Sequence, residues 1–183
     1  MRITRFTAPS GVPPVRSMPA AAASWREAAG IVARAALIGV IVLFGVLAAR
    51  AARAETLPTE MVVISTAAGD VTFKAEVAAT EAQRSVGLMN RKDMATDAGM
   101  LFVFDGEGER YFWMKNTYLS LDMIFIAADG RIVSIAKDTV PLSEKIVASG
   151  APAQYVLEVL AGTSERLGLA AGQAVKAPSI RAR

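Results

Sequence analysis

The chain has neither cysteine nor histidine among its 183 residues, and these two absences remove most of the side chains that enzymes rely on. Without cysteine there is no disulfide, no thiol nucleophile and no lipid-accepting thiol. Without histidine there is no imidazole base, so a Ser-His-Asp triad cannot be assembled within the chain. Zinc loses its nitrogen and sulfur ligands together. Chemistry is left to carboxylates, lysine, arginine, tyrosine and hydroxyls. Oxygen-bound calcium or magnesium stays open on residue type, but no D-x-[DN]-x-[DN]-G loop occurs, and no motif asks for a cofactor. The nearest acidic loop, DGEGE at residues 105–109, reads as a solvated turn, because acids beside glycines are ordinary turn chemistry.

Basic charge is also scarce once the chain is divided. Residues 1–54 hold seven arginines against the single Glu27, a net of +6, whereas residues 55–183 hold thirteen lysines and arginines against sixteen acids, a net of −3. The basic isoelectric point therefore belongs to the N-terminal third. The remainder has no basic patch of the kind that binds nucleic acid, and no run of like charge that would keep it unfolded.

That N-terminal third has its own pattern. Arginine-containing residues 1–34 precede an uninterrupted apolar run, AALIGVIVLFGVLAA at residues 35–49, closed by Arg50. Ala52-Arg53-Ala54 then stands before Glu55. A basic region, an apolar region and a small-x-small site predict a secretory signal peptide cut between Ala54 and Glu55. The alternative is an uncleaved membrane anchor, although fifteen helical residues rise only about 22 Å against a hydrocarbon core of roughly 30 Å. Either reading places the downstream domain outside the cytoplasm, in the periplasm or cell envelope, with the membrane touched only through this segment. The region before the apolar run is long, so Met18 is an alternative start.

Downstream, hydrophobic periodicity predicts a mainly-β domain. Residues 60–66 form a β-rich run, and residues 71–78 alternate, with Val71, Phe73, Ala75 and Val77 on one face and Thr72, Lys74 and Glu76 on the other; the two read as a hairpin. Thr80 with Gln83 three residues on is a capping box, predicting a short helix from Glu81 to about Gly87. MLFVF at residues 100–104 and RYFWMKN at 110–116 read as strands. Residues 123–126 and 132–135 flank the turn Ala128-Asp129-Gly130 as a second hairpin. Residues 153–162 form a further strand, followed by one helical turn with Thr163 as N-cap and Gly168 as its stop. A last short strand follows Gly172. The expected architecture is one sandwich or barrel with two short helices. It divides into the leader at 1–54, a linker at 55–61, the domain at 62–178 and a basic tail at 179–183. Phe73, Leu101, Phe102, Phe104, Phe112, Trp113, Ile124, Phe125 and Tyr155 are the expected core. The ending LGLAAGQAV is similar to the turn before a strand in small double-psi and swapped-hairpin barrels, with Gln173 in place of the usual Asp.

The segments RSVGLMNRKDM, GMLFVF, FWMKNTYLSLDMIFI, DGRIVSI and YVLEVLAGTSERLGL follow one another in the order and spacing of a widespread prokaryotic family, domain of unknown function 192. The resemblance runs from about Val62 to Val175. It implies a mainly-β, jelly-roll-like domain, often secreted or membrane-tethered, and it implies no activity. The family's polar positions correspond to Arg84, Arg91, Lys115, Asn116, Thr117, Asp122 and Glu158, and its glycines to Gly87, Gly99, Gly162 and Gly168.

Charges inside apolar runs pose the functional question. Lys115-Asn116-Thr117 and then Asp122 interrupt the apolar run at residues 111–126, and Glu158 shares a strand face with Val156 and Leu160. A buried charge without a partner costs several kcal/mol. One reading is therefore a structural ion-pair network among Arg84, Lys115, Asp122 and Glu158, with Lys115 paired to Glu158. A second is a pocket beside Trp113 in which Lys115, Asn116, Asp122 and Glu158 hold a polar ligand such as a sugar or peptide fragment. A third uses Asp122 and Glu158 as general acid and base, tuned by Lys115, in a hydrolase acting on a cell-wall or sugar substrate. Lacking a nucleophile with a base, the sequence favours a monomeric, non-catalytic binding or interaction module for a polar ligand or envelope protein. Elsewhere, Trp113 reads as core and Arg91 as part of a solvated face. Arg84 is open between a helix end, an anion and solvent. Met89, Met94, Met100, Met114 and Met123 read as core filler, since no M-x-M or M-x-x-M spacing supports copper.

Overall fold

The alternation in residues 71–78 sets the first pair of elements. β1 (Thr59–Thr66) and β2 (Gly69–Ala78) form an antiparallel hairpin with Val63 opposite Thr72. Phe73, Ala75 and Val77 are buried and Lys74 is exposed, as a period of two requires. β1 begins inside the expected linker, because Thr59, Glu60 and Met61 already pair with Glu76, Ala75 and Lys74. The structure, a computed structural model, describes residues 56–181. These belong to one unit, Thr56–Arg183. The apolar run at 35–49 and the cleavage residues Ala52, Ala54 and Glu55 lie outside the described residues. Among the described residues no helix is long and apolar enough to cross a membrane.

The chain next makes a crossover. α1 (Glu81–Val86) opens with the expected capping box: the Gln83 N–H donates to Thr80 Oγ1 at 3.2 Å, and the Thr80 N–H donates to Gln83 Oε1 at 3.0 Å. The helix and the turns after it carry the chain over one face of the sheet. β3 (Ala98–Gly108) can then lie parallel to β2, with Lys74 opposite Ala98 and Ala78 opposite Phe102. Every other strand pair is antiparallel. β3 extends through residues expected to form the acidic turn. A register shift between Val103 and Gly108 accommodates them, and Asp105, Gly106 and Glu107 are exposed.

The remaining elements are β4 (Tyr111–Phe112), β5 (Leu121–Ile126), β6 (Ile132–Ala136), β7 (Val147–Ala148), β8 (Ala153–Leu160), α2 (Thr163–Arg166) and β9 (Val175–Lys176). Seven strands form one sheet in the order β6-β5-β8-β3-β2-β1-β9, and β4 and β7 form a separate ribbon. The sheet curls until its edges meet at one end. There the Val175 N–H donates to the Gly130 carbonyl at 2.7 Å and the Ile132 N–H to the Gln173 carbonyl at 3.0 Å. Gly130 is required at this seam: its φ is +83°, and a Cβ would stand 2.9 Å from the Val175 carbonyl oxygen. Gln173 closes the preceding turn, accepting from the Ala170 N–H and donating to the Gly168 carbonyl. The domain is thus mainly β with two short helices, and its sheet is a curled half-barrel instead of two stacked layers. At α2 the N-cap is Gly162 in the left-handed region, not Thr163, which is helical and buried.

Curling gives the sheet an inner and an outer face. The inner face carries Ile64, Phe73, Leu101, Ile124, Tyr155, Leu157 and Val159. The outer face carries Met100, Phe102, Leu121, Met123, Phe125 and Val156, covered by Leu88 and Met114 from the connections. Burying one such large side chain contributes about 1.5–3 kcal/mol, so both faces stabilise the fold. Their polar residues differ.

Candidate functional site

β8 is the central strand of the site. Its alternation sends Tyr155, Leu157 and Val159 inward and Val156 and Glu158 outward. Glu158 stands between Met100 of β3 and Met123 of β5 and is 5% exposed. Among the described residues its carboxyl has no hydrogen-bond or ion-pair partner. Burial pushes its pKa from 4.5 up to about 8, because loss of water disfavours the charged form and no neighbour compensates. At neutral pH the group is mostly the uncharged acid.

Glu158 lines a cleft of about 400 Å³. One wall is α1 and the turn after it, contributing Glu81, Arg84, Ser85, Leu88 and Met89; the other is Tyr111, Phe112, Trp113 and Thr117. Phe102 and Phe104 of β3 complete the lining. The aromatic rings brace one another edge to face, with Phe112 5.2 Å from Phe102, 6.4 Å from Phe104 and 6.1 Å from Phe125.

The cations around these rings hold the walls in place. Arg84 donates to the carbonyls of Ala79 and Val103, the latter at 2.8 Å, and its guanidinium lies 4.9 Å from the Phe104 centroid. It therefore fastens α1 to β3. Arg110 lies 4.0 Å from the same centroid and donates to the carbonyls of Ala153 and Gly106. Burial, with Arg84 nearby, lowers the Arg110 pKa. Glu158 has no part in either contact.

Several sequence expectations change here. Lys115 does not pair with Glu158; its Nζ lies 3.5 Å from Glu144 Oε1 and 4.9 Å from the Trp113 ring centroid. The cause is that β4 ends at Phe112. The Met114 N–H donates to the Ser143 carbonyl and the Thr117 N–H to the Met114 carbonyl. Asn116 takes φ +55° in the resulting turn, which points Lys115 toward solvent. The same exit leaves Trp113 44% exposed at the cleft instead of in the core. Asn116 is exposed; its carbonyl accepts from the Asn90 N–H at 2.8 Å and its Nδ2 lies 4.0 Å from Met89 Sδ. Thr117 is buried, lines the cleft, and donates its hydroxyl to the Lys115 carbonyl.

Asp122 is not part of the cleft. It lies opposite Val159 on the inner face, fully buried, where its carboxylate accepts the Asp138 N–H at 2.9 Å and the Ser164 N–H at 2.7 Å. The sheet therefore separates Asp122 from Glu158, and the acid–base pair considered for a hydrolase is not assembled from these two residues. Arg91 is not merely solvated: it grips Glu76 with two hydrogen bonds of 2.5 and 2.7 Å, which hold the Glu76 pKa down. Among the described residues no three carboxylates converge to hold a metal ion.

The structure thus brings Arg84, Trp113, Thr117 and Glu158 to one cleft and leaves Lys115, Asn116 and Asp122 outside its lining. Sequence reasoning assigned Phe102, Phe104 and Phe112 to the core and did not single out Glu81, Leu88 or Tyr111. The available signal was the crossover: a capped helix between two strands of one sheet has to cover a face, and it leaves a seam where it meets the next connection.

Fold and site together define a small half-barrel domain with an aromatic cleft over one buried acid. The chain belongs to the family of domain of unknown function 192, described as Uncharacterized ACR, whose model matches residues 63–177. A solved structure from Sinorhizobium meliloti 1021, provisionally described as a transcription regulator, is 45% identical, covers 68% of this chain and 97% of its own, and superposes with a TM-score of 0.66. A protein of unknown function from Novosphingobium aromaticivorans DSM 12444 is 33% identical, covers 68% of this chain and 89% of its own, and gives the same TM-score of 0.66. No curated protein matches the chain.

Proposed function

We propose that this protein is an exported, non-catalytic binding module whose ligand enters the cleft between α1 and the Tyr111–Phe112 strand. The observation that carries the reading is Glu158, a buried carboxyl without a protein partner at the wall of an aromatic cavity. A carboxyl this deep in the fold that meets no protein donor is completed from the cleft, by water in the free protein and by a ligand when one binds. The cavity is at the lower end of the range for small-molecule sites, and its aromatic lining with few polar groups is typical of them. The net charge of −3 on residues 55–183 supports a small ligand or a protein partner over nucleic acid.

A thermal-shift screen of the protein against glycans, peptidoglycan fragments, peptides and amines tests the reading. Hits should raise the melting temperature and should vanish in Ser85→Trp, which places an indole on the exposed helical wall of the cleft. Hits that survive in that variant place binding elsewhere, and turnover of a hit restores the enzymatic alternative. Export is inferred from residues 35–49 and Ala52-Arg53-Ala54. N-terminal sequencing of envelope-fraction protein should begin at Glu55; recovery of the uncut chain from the cytosol overturns it.

A further inference from the structure

The geometry points to an organic cation as the ligand: a protonated amine seated on Glu158, with its apolar or aromatic body among Phe102, Phe112 and Trp113. This rests on the binding reading above and specifies it. A carboxylate accepts hydrogen bonds in several directions, and here no N–H, hydroxyl or cation of the described residues supplies even one. Whatever stabilises ionised Glu158 has to come from the cleft, and a cation does so most strongly. The walls favour the same charge, because aromatic faces carry negative potential and attract ammonium groups. Rings of the cleft already meet cations this way, Trp113 with Lys115 and Phe104 with Arg110, both from outside the lining, and Phe104 with Arg84 from within it.

The ionisable groups lining the cleft are of mixed sign. Two of them, Glu81 and Glu158, are acidic, and one, Arg84, is basic. Arg84 is engaged by two backbone carbonyls and by Phe104. Phe104 and Met100 point to the same face four residues apart on β3, and Glu158 pairs beside Met100, so at 3.3 Å per residue their backbones are roughly 13 Å apart. Among the described residues the guanidinium and the acid form no ion pair with each other.

Seating a cation also moves a proton. The free carboxyl is protonated at neutral pH; when the ammonium arrives, the acid proton leaves to solvent and the ligand keeps its own. The titratable groups that share the cleft with Glu158 are Glu81 and Arg84 from the α1 wall and Tyr111 from β4, and the apolar Met100 and Met123 flank it on the neighbouring strands. None of them is within ion-pairing distance to take that proton's place. Binding should therefore tighten as pH rises toward the carboxyl's own pKa, by up to about tenfold per unit.

Benzylamine, benzyl alcohol and benzoate present a cation, a neutral group and an anion on one ring, and titrating each into the full chain by calorimetry tests the proposal. We expect benzylamine to bind at least about tenfold more tightly than benzyl alcohol, and benzoate to bind most weakly. Repeating the benzylamine titration near pH 6 in two buffers of different ionisation enthalpy should show about one proton released per ligand. Glu158→Gln should weaken benzylamine by more than it changes benzyl alcohol, so that the preference for the amine is lost. Benzyl alcohol or benzoate binding as tightly as benzylamine, with sensitivity to Ser85→Trp, overturns the cation assignment and leaves the binding cleft standing. Failure of all three to bind in the millimolar range, while the thermal-shift screen still gives hits that Ser85→Trp removes, overturns the cation assignment alone; failure of both experiments overturns both. The wild-type titrations and the proton count do not depend on whether Glu158→Gln folds.

Discussion

Asp122 and Glu158 sit on neighbouring strands, one step apart in register, and the domain treats them in opposite ways. Asp122 faces the inner side of the sheet and receives two backbone N–H groups from Asp138 and Ser164. Glu158 faces the outer side, is nearly as deeply buried, and receives none. The inner acid is a fastener: it ties the connection after β6 to the start of α2, and its desolvation is offset by two charge-assisted hydrogen bonds. The outer acid stabilises nothing in the free protein. A group that weakens the fold and is left without a partner belongs to function more readily than to architecture, because active and binding sites are where proteins carry such costs.

The comparison can be broken most decisively through pH. Glu158 has a raised folded-state pKa, so below about pH 4.5 it is protonated in both folded and unfolded chains and costs nothing. As pH rises from 4.5 toward 8 the unfolded chain sheds this proton while the folded chain keeps it, and stability falls by up to about 5 kcal/mol before levelling off. Glu158→Gln should abolish that component. The variant should match the wild type in denaturant melts near pH 4.5 and exceed it by several kcal/mol near pH 8. Equal stability of the two at both pH values means the carboxyl has a partner after all.

Asp122→Ala should show the opposite behaviour, a loss of about 3 kcal/mol at neutral pH from two orphaned buried N–H groups. A change below about 1 kcal/mol in urea melts would make the inner acid as dispensable as the outer one. Next in size is Gly99→Ala, which probes how tightly the strands around Glu158 pack on the inner side. A Cβ there would stand 2.6 Å from the Glu158 carbonyl oxygen and 3.2 Å from a Val159 methyl, so overpacking of about 1–3 kcal/mol is expected from the shift in midpoint. The smallest effect belongs to Lys115→Met. Its partner Glu144 is two-thirds exposed, so the loss should be below about 1 kcal/mol, and combining it with Glu158→Gln should be additive. A strongly non-additive cycle would restore the Lys115–Glu158 strut.

Much of this was legible in local chemistry. The capping box at Thr80 and Gln83, the alternation in β2 and the turn before Gly130 each depend on a few adjacent residues, and each appears where the sequence places it. Features that depend on distant partners were not legible. RYFWMKN has the composition of a strand, yet pairing stops at Phe112 because Met114 and Thr117 bond to the 140s connection and to their own turn. Trp113 and Lys115 leave the sheet for that reason. Thr163 has the side chain of an N-cap but lies one residue inside the helix, since Gly162 makes the sharp entry.

From the residues alone it followed that the domain is mainly β, that histidine and thiol chemistry are excluded, that the chain is a member of its family, and that Lys115, Asp122 and Glu158 were the charges needing explanation. Those follow from composition, from a period of two and from motif order, all of which are properties of neighbouring residues. Which carboxyl is satisfied depends on how the strands pair. Period two assigns each residue a side within its own strand, but it cannot say which side of β5 corresponds to which side of β8. The register Met123 opposite Glu158 settles that and sends Asp122 through the sheet from it. The cleft was likewise invisible beforehand, because it lies between a crossover helix and a loop that meet only after the sheet has curled. One acid is bonded and the other is not because backbone N–H groups converge on the inner face and aromatic rings on the outer.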